Sequence, residues 1–225
     1  MLIPARVQKF LNEVVYKVNP DFTIKNKANK TGLYAFLSFF GKLFNPEIDK
    51  RYITVLNGEC WFPSSYFDVN GDFREGFAES AIEIMAHETM HEYDRKRWGS
   101  FLYTMMYSSP QIFALLSLGA IGAIWNSWWL LCLLFLLLLA PLPALGRAYI
   151  ELRGYRVNMM LERMKPYGNV QEYAEWVADT QFCGPAYFFM FPFKSYVVGK
   201  LLETGYENET MYKIIKDWFK GNISP

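Results

Sequence analysis

The sequence predicts a mainly helical α+β fold with one small β-hairpin and an inserted apolar helical hairpin. Three observations predict it. Apolar residues recur at helical spacing over several long stretches. A single pair of β-forming runs flanks Asn57-Gly58, and Asn-Gly suits a type I′ hairpin because both central positions need positive φ. Finally, no Asp, Glu, Lys or Arg occurs from Phe101 to Leu145.

Along the chain, Val7, Phe10, Leu11, Val14, Val15 and Val18 share one helical face, and that helix ends before Asn19-Pro20. Residues 21–32 are polar and rich in Lys and Asn, and they read as a loop. Leu33 to Phe44 is too short to cross a bilayer and reads as a buried helix, with an interfacial helix as the alternative. Tyr52–Leu56 and Glu59–Phe62 are the two strands of the hairpin. A helix follows from near Arg74 through Arg97. After the uncharged run, Arg147 to Lys165 is a long helix stopped by Pro166. A helix near 171–181, an aromatic stretch at 187–193, and amphipathic segments near 195–204 and 208–220 complete the chain.

The uncharged run divides at Trp125–Trp129. About 20 apolar residues span a hydrocarbon core, so a run of this length with a polar break fits two crossings, with the tryptophans at the interface. Basic residues flank both outer ends: Arg95, Lys96 and Arg97 before, and Arg147, Arg153 and Arg156 after. The expectation is an integral membrane protein in contact with the lipid bilayer, its remaining mass on the cytoplasmic side; the alternatives are a shallow re-entrant hairpin, since Pro110, Pro141 and Pro143 shorten the helical stretches, and a buried helical hairpin in a soluble protein. Three segments follow: 1–100, the membrane hairpin 101–146, and 147–225. The N-terminus lacks the uninterrupted apolar core of a signal peptide.

Composition removes other classes. A net charge of +1 gives no electrostatic case for nucleic acid. Cys60, Cys132 and Cys183 are too few and too scattered for a disulfide framework or a thiolate zinc site.

The chemistry centres on His87-Glu88-Thr89-Met90-His91. The chain has two histidines, and both fall in this run. Residues four apart on a helix point the same way, so His87 and His91 can present two imidazoles to one Zn2+. Glu88 adjoins the first ligand and can act as general base on a metal-activated water, whose pKa zinc lowers towards about 7. Catalytic zinc takes three protein ligands and keeps one position open. Without a third histidine, a carboxylate from a later helix is expected. Glu151 is the first candidate, because a two-crossing hairpin returns the chain to its starting side; Glu162 is the reserve. Pairing of Glu151 with Arg147 or Arg153 is the competing reading. Glu83 shares the side of His87, whereas Glu92 points away.

The order Ala86-His87-Glu88-Thr89-Met90-His91, then an apolar hairpin, then Glu151-Leu152-Arg153-Gly154-Tyr155-Arg156 resembles the HtpX and CAAX-prenyl-protease group of membrane metallopeptidases, over roughly residues 75–160. The resemblance implies a zincin-like fold of the gluzincin type, zinc endopeptidase activity on protein or peptide substrates, and Glu151 as third ligand. The group has Asp where this chain has Tyr155. At four residues from Glu151, the Tyr155 hydroxyl can serve the site as a hydrogen-bonding support or a transition-state donor. The group's N-terminal membrane helices have no counterpart here. Two other readings remain. One is a non-catalytic membrane-inserting or scaffold protein with a vestigial or structural zinc site. The other is a soluble SprT-like zincin, against which the neutral charge and the apolar hairpin both weigh.

Overall fold

Apolar side chains every three to four residues bury one face of the first helix. It runs as α1 (Ala5–Phe10), a π-helical stretch (Leu11–Val15) and α2 (Tyr16–Val18), with Val7, Phe10, Leu11, Val14 and Val15 almost fully enclosed. The computed structural model describes residues 1–32, 34–35, 38–39, 48–51, 53–56, 58–140, 142–184 and 189–222. Much of the Leu33–Phe44 run, Asn57 of the turn and the front of the 187–193 aromatic stretch lie outside the described residues. The chain forms two compact units, Met1–Glu92 with Asp217–Pro225, and Tyr93–Lys216.

In the first unit the expected hairpin is present: β2 (Thr54–Leu56) pairs antiparallel with β3 (Glu59–Phe62), and Gly58 takes φ of 82°. The 21–32 region, expected as a loop, supplies a strand as well. β1 (Thr23–Asn26) lies parallel to β3, giving the order β1-β3-β2. Its polar sequence carries no alternating signature, because only Ile24 of its four residues is buried. Cys60, Trp61 and Phe62 of the central strand are buried. Gly58 is required twice over. Its φ lies in the left-handed region, and a Cβ there would come within 2.7 Å of Asn19 Nδ2. That amide donates in turn to Glu92 Oε2 at 3.0 Å. After the short helix α3 (Ile48–Arg51) and a 3-10 turn at Glu75–Phe77, helix α4 spans Ala78–Trp98 as expected and buries Ala81, Ile82, Met85, Ala86 and Met90.

The second unit takes up α4 at Tyr93. Then come α5 (Ser100–Ser108), 3-10 segments Gln111–Ile124 and Ser127–Leu139, α6 (Leu145–Met164), α7 (Val170–Val177) with a π extension (Ala178–Phe182), and α8 (Lys194–Leu202). The last helix, α9 (Thr210–Asn222), begins in this unit and ends in the first, where Phe10 meets Trp218 and Phe219 edge-on. A core of Ala148, Met159, Val177, Phe182, Val197 and Leu201 holds α6, α7 and α8 together.

The expected membrane hairpin has a different winding. Its two arms are 3-10 helices. Among the described residues no single helix is long and apolar enough to cross a membrane. Ser100–Ser108 and Gln111–Ile124 meet the criterion only as a pair bent by 87°. The arms pack tightly on each other: a Cβ on Gly119 would meet Cys132 Sγ at 2.8 Å, and one on Gly122 would meet Trp129 at 2.7 Å. A 3-10 helix repeats every three residues, so Gly119 and Gly122 form one stripe and Trp129 and Cys132 the facing one.

Arg153 and Asp94 form the strongest polar contact of this unit. Nε donates to Asp94 Oδ2 at 2.7 Å and Nη2 to Oδ1 at 3.0 Å, with both residues buried. Burial opposes the guanidinium charge, but hydrogen bonds to Asp94 and Glu209 outweigh it and hold Arg153 more firmly protonated than usual. Asp94→Ala removes the buried bidentate partner of that charge, and should cost about 3 kcal/mol or more of unfolding free energy in urea titrations.

In the first unit, Lys27 is buried and donates to Thr54 Oγ1 at 3.1 Å. Burial lowers its pKa to about 8 from 10.5, with Asp49 opposing the shift. Below pH 8 both folded and unfolded chains are protonated here, and the folded one carries the full cost. As pH rises from about 8 towards 10.5, the folded state sheds the proton first and the cost is relieved. Unfolding free energy should therefore gain from this group over that window, and the gain should vanish in Lys27→Met.

Candidate metal centre

Helix α4 carries both histidines one turn apart. Their Nε2 atoms face each other at 3.0 Å, and the rings stand almost perpendicular at 85°. Two zinc–nitrogen bonds of 2.0–2.1 Å at a tetrahedral angle separate the nitrogens by about 3.3 Å. The imidazoles are thus held close to a chelating arrangement by the helix itself. Both are buried, at 8% and 9% exposure. Thr89, between them, donates its hydroxyl to the Met85 carbonyl at 2.6 Å, as a buried helical threonine does.

Glu151, on α6, is the third member. His87, His91 and Glu151 each offer one ligand atom, and these atoms lie within 4.8 Å of one another in a fully buried group. A buried His-His-Glu group of this kind can bind a metal ion, and two imidazoles with a carboxylate are the donor set expected of a borderline divalent cation. The arginines near Glu151 in sequence make bonds to other groups. Arg153 is on Asp94, and Arg147 donates from Nε to the Tyr107 carbonyl at 2.9 Å and from Nη2 to Gln111 Oε1 at 3.3 Å. The reserve ligand Glu162 pairs with Lys165 at 3.1 Å. Glu92 accepts from Asn19 Nδ2 at 3.0 Å.

Glu88 is half-buried on α4. Its charge reaches the Cys60 thiol of β3, which burial first and Glu88 second push well above the usual thiol range. Tyr155 packs against the core of the second unit, its ring 5.9 Å from that of Phe182. The Tyr107 hydroxyl donates to Glu151 Oε1 at 2.8 Å. Sequence reasoning passed over Tyr107 because it lies in the uncharged run. The available signal was a phenol among residues otherwise suited to lipid.

No protein-family model, no curated protein and no solved structure matches the chain.

A ligand that binds only the folded protein stabilises it by about 2.7 kcal/mol at one hundred times its Kd. A divalent metal ion held by this group should raise the unfolding midpoint of the chain by a corresponding amount, and a chelator should reverse the shift. His87→Ala should remove the response in a calorimetric scan.

Proposed function

We propose that this chain is a membrane-anchored zinc-dependent endopeptidase related in layout to the HtpX and CAAX-prenyl-protease group. The carrying observation is the buried His87–His91–Glu151 group with Glu88 next to the first histidine on the same helix. His87, His91 and Glu151 would hold the ion. When bound, zinc supplies Lewis acidity, which acidifies a water and polarises a peptide carbonyl. Glu88 takes the proton from the attacking water and delivers it to the leaving amine. In the three-stranded sheet β3 is central, so β1 and β2 are its edges among the described residues. An extended peptide adding to such an edge would be read through its backbone.

The hairpin supports anchoring in a bilayer. Ile124, Trp125 and Trp128 are 76%, 80% and 74% exposed, and most leucines of the second arm are exposed beside them, a far larger apolar surface than a water-facing protein carries. The 3-10 winding also changes the length arithmetic. At about 2.0 Å per residue, the 14 residues of Gln111–Ile124 extend about 28 Å, against about 21 Å as α-helix and about 30 Å for a hydrocarbon core. The cytoplasmic assignment leans on the basic residues that flank both ends of the hairpin, Arg95, Lys96 and Arg97 before it and Arg147, Arg153 and Arg156 after it.

The test is cleavage of casein by the detergent-solubilised chain, with metal content measured alongside. Glu88→Gln should retain zinc and lose about a hundredfold or more in kcat. His91→Ala should lose both zinc and cleavage. A wild-type chain that holds zinc but cleaves nothing would favour the structural-metal, membrane-inserting reading.

A further inference from the structure

Tyr107 is fixed from four directions. It is the penultimate residue of α5, and its carbonyl accepts from Arg147 Nε at 2.9 Å. The Arg147 guanidinium lies over its ring, 5.3 Å from the centroid, and Tyr103 stacks at 6.0 Å with 12° between the rings. The helices carrying Tyr107 and Glu151 approach closely at Gly146, where a Cβ would stand 2.4 Å from the Met106 carbonyl oxygen. A phenol held this way cannot follow a wandering carboxylate; the carboxylate must come to it. Its hydroxyl donates to Glu151 Oε1 at 2.8 Å, and Glu151 is 2% exposed.

A hydrogen bond to one oxygen of a ligating carboxylate fixes its rotamer and leaves the other oxygen for the metal. We infer that Tyr107 is the positioning residue that presents Glu151 to the ion, and that the base of the apolar hairpin is thereby built into the metal centre. The connection runs through few bonds. Arg147, which clamps Tyr107, also holds Gln111, the first residue of the first 3-10 arm. One arginine at the end of the hairpin thus ties together its beginning, the positioning phenol and the helix of the third ligand. This role rests on the metal-centre reading of His87, His91 and Glu151.

The test measures Zn2+ affinity of the full chain in detergent against a competing chelator, together with the visible spectrum of the Co2+-loaded protein. Tyr107→Phe should weaken Zn2+ binding by about 10-fold to 100-fold and alter the Co2+ bands. In a Glu151→Gln background the same substitution should cost nothing further, since its effect runs through Glu151. Arg147→Gln, which loosens Tyr107 without touching its hydroxyl, should move affinity in the same direction, and it carries the test if Tyr107→Phe does not fold. Wild-type affinity and spectrum in both variants would overturn the inference, as would an equal loss with and without Glu151. Failure of the underlying reading looks different: zinc binding by the wild type would then be indifferent to His87→Ala and Glu151→Gln.

Discussion

The Asp94–Arg153 ion pair is the constraint on which the arrangement turns. Two charges are removed from water and repaid by two short, parallel hydrogen bonds, so the pair tolerates little displacement. Asp94 follows His91 by three residues on one helix, and Arg153 follows Glu151 by two on another. Locking the later residues in each helix fixes the azimuth at which the earlier ones emerge. The Tyr212 hydroxyl on the Arg153 carbonyl and the Trp98 ring beneath its guanidinium add further restraint. A carboxylate offered to an ion must arrive in one orientation, and a salt bridge two residues beyond Glu151 restrains that stretch of α6.

Local features were legible in the sequence, and those that depend on distant chain were not. The histidine pair is a property of one helix, and helical geometry alone brings the two rings to face each other. The β2–β3 hairpin was legible for the same reason, since its turn chemistry sits between its strands. β1 was not, because Thr23–Asn26 is polar and becomes a strand only by pairing with β3 far along the chain. Glu151 was reached by an argument about where the chain must return, and the clustering with the histidines agrees with it.

Helical spacing pointed to Tyr155, and the structure adds a second tyrosine at Glu151. Tyr155 was chosen by its spacing from Glu151, but helical spacing says only that two side chains leave the same side of a helix. Its ring met Phe182 and was absorbed into the core around α7 and α8. Tyr107 reaches the same carboxylate from another helix altogether, 44 positions earlier. The winding of the hairpin was equally beyond reach, because leucine-rich composition is compatible with α and 3-10 helix alike.

That winding has a mechanical corollary. Gly119 and Gly122 line up against Cys132 and Trp129 only while each arm repeats every three residues. At 3.6 residues per turn the two glycines would splay by about 60° and the seam would open. Pairing and pitch are therefore a single variable in this hairpin. Arms that part lose the reason to stay overwound, and relaxing to an α-helix would shorten the first by about 7 Å while keeping its backbone hydrogen bonds internal.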